Sequence, residues 1–359
     1  MKEQLSKLKK LRLKPVCLSL IIFVMAVCLL FAITPRVDKV LNANNIYFPP
    51  QPTNPIELVP QPPTTNPAGD PVPEVPAPAA LLPVVLYFAA LILVLTLILF
   101  FIPLSMLKIV FRSVFAFLFA WGVFILTVFY LPTIMCHIMG TGEITLNLFG
   151  RAFIFGERAL PSFIGMILSA ALGLGIGFVW LLKPKMWLHN LLLLVAVASM
   201  ASVFGRIMSP WTAMILLGIF AVYDLLAVRF GFMMWMANKM SQSAALPAFV
   251  LPRRIGELQT KISHVELNEV AATKPEERDF SVLGGGDIAF PLMLTASVFF
   301  ARGWWASLLT ALFCMVGLYG AYFLQRTVFK GKPVPAIPPI AFMGLLGLIV
   351  AYAFFPALQ

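Results

Sequence analysis

Apolar residues gather into long runs along this chain, and the breaks between the runs fall at charges, prolines or glycines. A helix needs about 20 apolar residues to cross the hydrocarbon core of a bilayer, because every backbone group must be satisfied within the segment. Nine runs approach that length: Pro15 to Thr34, Leu81 to Leu104, Ile109 to Met135, Leu160 to Leu182, Trp187 to Gly205, Pro210 to Met236, Ser281 to Ala301, Trp304 to Gln325, and Ile337 to Pro356. The seventh opens on glycines and has the weakest helical pattern. The expectation is an all-α membrane protein with nine transmembrane helices.

The polar stretches divide the chain further. Residues 1–34 form a basic N-terminus and a first span, and 35–80 a Pro-rich external linker expected to be extended. Residues 81–236 carry spans two to six, 237–280 a cytoplasmic loop charged with both signs, and 281–359 spans seven to nine. The basic stretch from Met1 to Lys14 resembles the start of a signal peptide. Its apolar continuation, Val16 to Ile33, is longer than a usual signal core and reads as a retained anchor.

Composition agrees with lipid as the solvent. Of 359 residues, 60% are hydrophobic and 11% charged, more apolar than a soluble domain can bury. A net charge of +11 does not signal nucleic acid, because the Lys and Arg side chains sit between apolar runs instead of clustering on a soluble face. It signals topology. With the N-terminus in the cytoplasm and the C-terminus outside, only Arg36, Lys39, Arg151, Arg158, Arg206 and Arg302 of the 26 basic residues fall on the outer side. Cys17, Cys28, Cys136 and Cys314 are scattered, so neither a disulfide framework nor a metal-ligand spacing follows.

Of the 15 acidic residues, only Asp224 and Asp287 lie inside apolar runs. A carboxylate in mid-membrane costs at least roughly 2.5 kcal/mol on insertion scales, so each demands a function or a partner. Asp224 falls near the middle of the sixth run and hence near the bilayer centre. Pairing with Arg229, five residues on, is its structural alternative, at a poor helical spacing. Asp287 follows Gly284, Gly285 and Gly286, which leave room for another chain beside the carboxylate; an acid capping a glycine-rich helix start is the alternative there. Side by side, two carboxylates share one proton and can hydrolyse a peptide bond, one activating water and the other polarising the carbonyl. No metal or cofactor is implied.

Tyr223-Asp224, Gly284-Gly285-Gly286-Asp287 and Pro335-Ala336-Ile337 resemble the YD, GxGD and PAL motifs of the presenilin and signal peptide peptidase family, in the same order and in spans six, seven and nine. The resemblance implies a presenilin-like bundle and intramembrane aspartyl proteolysis of single-span or signal-peptide-like substrates. Asp224 and Asp287 would be catalytic. Tyr223, Leu283, Gly284, Gly285, Gly286, Pro335, Ala336 and Ile337 would line the substrate cleft. In the family, substrate pairs as a strand with the segment before GxGD, here about Asp279 to Leu283. Ile337 departs from the usual Leu. An inside N-terminus resembles presenilin, whereas Asp287-Ile288 and Pro291 look like the peptidase branch; together they resemble microbial homologues, which implies the cell membrane of a microbe. The lipid bilayer and a second copy of the chain are the remaining expected partners.

Two other readings stay open on sequence. A prepilin-type peptidase also uses GxGD but leaves the segments around Tyr223 and Pro335 without a role. A proton-coupled transporter could use paired intramembrane acids, although the two halves of the chain show no self-similarity.

Overall fold

The computed structural model describes residues 15–43, 104–139, 144–148, 151–155, 159–230, 246–252, 259, 280–327 and 334–355. Most of the second expected span (81–103) and most of the Pro-rich linker (44–80) lie outside the described residues. In chain order the elements are α1 (Pro15–Ala43), α2 (Leu104–Val128), α3 (Leu131–Met139), β1 (Ile144–Leu148), β2 (Arg151–Phe155), α4 (Ala159–Leu182), α5 (Met186–Ile207), α6 (Pro210–Arg229), β3 (Ala248–Pro252), β4 (Phe280–Gly284), α7 (Gly286–Arg302), α8 (Trp304–Thr327) and α9 (Ile337–Phe354). Among the described residues, seven helices, α1, α2, α4, α5, α6, α8 and α9, are long and apolar enough to cross a membrane. Large apolar side chains such as Ile109, Phe117, Leu174, Phe178 and Phe342 stand exposed on them, as lipid-facing side chains would.

Lipid gives helices no hydrophobic reason to associate, so close backbone approach and dispersion must hold them together. The seam between α2 and α4 is built that way. A Cβ on Gly173 would lie 2.5 Å from the Ala120 carbonyl oxygen, and one on Gly177 would lie 2.7 Å from that of Ala116. Both helices therefore place small residues four apart where they meet. Gly317 of α8 makes the same approach to α9, with Ile340 Cα and the Pro339 carbonyl 2.7 Å from where its Cβ would be.

The helix with the weakest sequence signal lies innermost. α7 has 17 residues, spanning about 25 Å, and buries Ile288, Pro291 and every residue from Leu292 to Val298. It packs against α1, α5, α6, α8 and α9. A helix wrapped by others does not need a lipid-matched length, which is why its sequence looks marginal as a span.

Several boundaries differ from expectation, each for a local reason. α1 continues past Thr34 to Ala43 and includes the first residues of the expected linker. The polar residues of this extension find partners: Asp38 pairs with Arg206 at 3.5 Å, and the Arg206 guanidinium lies 5.3 Å from the Phe300 ring. The third span breaks after Val128, because Pro132 has no N–H to donate to the Val128 carbonyl, and resumes as the short α3. α6 ends at Arg229, so Asp224 stands in its last third instead of at its middle. The expected seventh span opens at Ser281, but Ser281–Gly284 belong to a strand that starts at Phe280, and the helix begins only at Gly286. The all-α expectation is also modified by two antiparallel two-stranded sheets, β1–β2 and β3–β4. β3 lies inside the expected cytoplasmic loop, yet all five of its residues are buried.

Replacing Gly317 by Ala should lower unfolding stability in detergent by about 1–3 kcal/mol, since a backbone must move to admit the methyl. Gly320→Ala on the same helix, where nothing lies within 4 Å, should be neutral or raise stability by up to about 1 kcal/mol. Thermal unfolding of the two variants checks the pair.

Candidate active site

The β3–β4 hairpin delivers the chain to Asp287. Its register pairs Ala248 with Gly284, Phe249 with Leu283, Val250 with Val282, Leu251 with Ser281 and Pro252 with Phe280. The ladder runs one step further, where the Gly285 N–H donates to the Pro247 carbonyl at 2.9 Å. Gly285 then turns into helical conformation (φ −61°, ψ −32°) and caps α7. A Cβ there would sit 2.9 Å from the Pro247 oxygen, so a side chain would push the strand away. A Cβ on Gly284 would meet Asp287 Oδ2 at 2.9 Å, and one on Gly286 would meet the Phe290 ring at 3.3 Å. These glycines are needed for close approach more than for unusual torsions.

Asp287 occupies the first turn of α7, where free N–H groups favour a carboxylate, and it is partly buried. Its carboxylate accepts the Gly284 N–H. Four residues on, Pro291 cannot donate to the Asp287 main-chain carbonyl, which loosens the start of the helix.

Asp224 is 4% exposed and lies five residues before the end of α6. Its Oδ2 accepts the N–H of Ile337 at 3.1 Å, and the Ala336 N–H also bonds to it. Ile337 opens α9, and the next two residues, Pro338 and Pro339, have no N–H. The donors at this helix start are therefore those that reach Asp224. The two acidic helices are tied by an aromatic stack: Phe220, one turn before Asp224, lies over Phe290, nearly one turn after Asp287, with centroids 4.0 Å apart and planes at 25°. Asp224 and Asp287 come within electrostatic reach of each other.

Asp224, Asp287, Leu283, Gly284, Gly285, Gly286, Ala336 and Ile337 thus converge on one place from α6, the hairpin, α7 and the start of α9. Tyr223 is half-buried beside Asp224, and Pro335 is buried just before α9. Two neighbours escape the sequence reading. Tyr322 of α8, hydrogen-bonded to Ser19 of α1, stands within electrostatic reach of Asp287, and no local pattern signals it. β3 does carry a signal: Leu246-Pro247-Ala248-Phe249-Val250-Leu251-Pro252 is an apolar, strand-forming run inside a polar segment.

The family profile described as signal-peptide peptidase, presenilin aspartyl protease matches residues 102–357, which include every element from α2 to α9 and both aspartates. The chain belongs to that family. As a signal-peptide peptidase and presenilin relative with seven membrane-length helices among its described residues, it is an integral multi-pass membrane protein. Two solved structures of a presenilin family intramembrane aspartate protease are similar to it. The one in the C222 space group has 16% identity and a TM-score of 0.49 over 95% of this chain and 99% of the other. The one in the P2 space group has 15% identity and a TM-score of 0.49 over 95% and 98%. No curated protein matches the chain significantly.

Gly284→Ala should shift the Asp287 carboxylate, the flexible end of a side chain, while changing stability by less than about 1 kcal/mol. Gly285→Ala meets a rigid carbonyl and should cost about 1–3 kcal/mol. Thermal unfolding separates the two. Binding of a peptide-like aspartyl-protease transition-state mimic should weaken by about tenfold or more in Gly284→Ala despite its intact fold.

Proposed function

We propose that this protein is an intramembrane aspartic endopeptidase of the GxGD type, with Asp224 and Asp287 as its catalytic pair. It would cut single-span membrane proteins or signal-peptide-like segments within or near their transmembrane helices. The observation that carries the reading is the arrangement of the acids: the only two in the apolar runs stand within electrostatic reach, on helices joined by the Phe220–Phe290 stack. Family membership supplies the reaction class.

Two carboxylates that feel each other's charge would hold one proton between them. The ionised member takes a proton from water as it attacks the scissile carbonyl, while the protonated member donates a hydrogen bond to the carbonyl oxygen. The tetrahedral intermediate then collapses as a carboxyl proton passes to the departing amine. Asp224, held by N–H groups of α9, is the better-anchored member. Tyr223, Leu283, Gly284, Gly285, Gly286, Pro335, Ala336 and Ile337 would border the substrate, with the strand before Asp287 pairing to its unwound segment.

The same proposal places the N-terminus in the cytoplasm and the C-terminus outside, with nine spans. It takes 81–104 as the second span and the enclosed α7 as the seventh, in the cell membrane of a microbe. The excess of Lys and Arg on one side of the alternating loops supports that orientation.

Purified protein in detergent should cleave a single-span substrate, and Asp224→Ala and Asp287→Ala should each lower the rate by at least about a thousandfold with folding intact. Because one acid must be protonated and one ionised, the rate should fall on both sides of a pH optimum. Proton flux through reconstituted vesicles without any cleavage would favour the transporter instead.

A further inference from the structure

We propose that Asn190 and His189 of α5 are positioning residues that hold β3 as a fixed inner strand, so that β4 can meet a substrate strand only along its opposite edge. The inference rests on the protease reading above.

Asn190 grips Val250 with both ends of its amide. Its Nδ2 donates to the Val250 carbonyl at 2.6 Å, and its Oδ1 accepts the Val250 N–H at 3.0 Å. One turn of ladder is thereby completed by a side chain acting as a further strand. Next to it, His189 Nε2 meets the Ala248 carbonyl at 3.2 Å, and since a carbonyl only accepts, Nε2 carries the proton. The imidazole is fully buried and fixed among Phe115, Phe119 and Trp180, with ring centroids 6.2, 5.4 and 5.9 Å away. Both residues sit at the start of a membrane-length helix, which makes them a rigid support.

These bonds determine which edge of β4 is open. In an antiparallel ladder, paired residues alternate between exchanging two hydrogen bonds and exchanging none. Val250 and Ala248 turn their backbone groups towards α5, so Val250–Val282 and Ala248–Gly284 are the pairs that exchange none. The rest of the ladder obeys the same alternation. Gly285 donates to Pro247, as the next bonded pair should, and Pro252, which has no N–H, falls at a pair that needs none. Val282 and Gly284 must therefore point their backbone groups away from β3. The Gly284 N–H does so, towards the Asp287 carboxylate. Among the described residues no strand pairs with the other edge of β4, the edge on which Asp287 lies, and the clamp on β3 keeps the closed edge occupied.

Loosening the clamp would let β3 and β4 slip, carrying Gly285 and the start of α7 with them. The test uses the full-length protein in detergent with a single-span substrate, comparing wild type with Asn190→Leu and Asn190→Asp; the aspartate keeps the acceptor for Val250 N–H and loses the donor. Active sites are counted by titration with a tight-binding transition-state mimic, and product ends are read by mass spectrometry. Per titrated site, kcat/KM should fall at least about tenfold in Asn190→Leu, with cleavage spreading to neighbouring peptide bonds and Asn190→Asp falling between. A purely structural role would lower the number of titratable sites and leave the cleavage positions and the rate per site unchanged; that result overturns the proposal. Should Asn190→Leu not fold, Asn190→Asp decides on the same two readouts. Amide exchange over 246–252 stands apart from proteolysis: it should quicken at least about tenfold in the variants. Failure of wild type to cleave, or cleavage by Asp224→Ala, would sink the protease reading while leaving that exchange result to judge the clamp.

Discussion

The carboxylate of Asp224 accepts the first N–H of α9, and the geometry of the whole site depends on that bond. A buried acid in a membrane needs a partner, and the N-terminus of a helix offers free donors and a positive dipole end without a counter-charge. Pro338 and Pro339 remove the N–H groups that would otherwise compete for solvent or side chains there. Arg229, the cation nearest in sequence, stands exposed instead. An arginine partner would have neutralised Asp224 as a salt bridge; a helix start anchors it without adding a counter-charge.

From that anchor the remaining parts are placed by packing. The Phe220–Phe290 stack sets the spacing of α6 and α7 close to both acids. α9 is held against α8 where Gly317 and Gly347 admit the neighbouring helix, so the N-terminus that binds Asp224 has a stiff backing. α7 is enclosed by five helices, which lets its first turn be built from glycine and interrupted by Pro291 without facing lipid. Irregular backbone at membrane depth is tolerated only where protein satisfies it. The hairpin meets that condition on its closed edge through Asn190 and His189, and its open edge lies beside Asp287.

How much of this was legible depends on the range of the interaction. The apolar runs, the isolation of Asp224 and Asp287 among them, the glycines before Asp287 and the prolines around the start of α9 are local features, and those that fall on the described residues coincide with elements there. The break after Val128 was also local, since Pro132 announces it, and the run from Leu246 to Pro252 was visible as a strand former inside a polar segment.

The order of residues along the chain determined that lipid is the solvent, where most helices lie, and which two acids have no ordinary reason to be there. These follow from hydropathy and from the cost of burying charge, which act residue by residue. Only the tertiary structure decided that the helix with the weakest sequence pattern is the central one, that a loop segment becomes the inner strand of the site, that Tyr322 stands near Asp287, and that α5 holds the hairpin. Those outcomes rest on contacts between residues far apart in the chain, such as Asn190 with Val250 and Asp224 with Ile337, whose energies exist only once the helices have met.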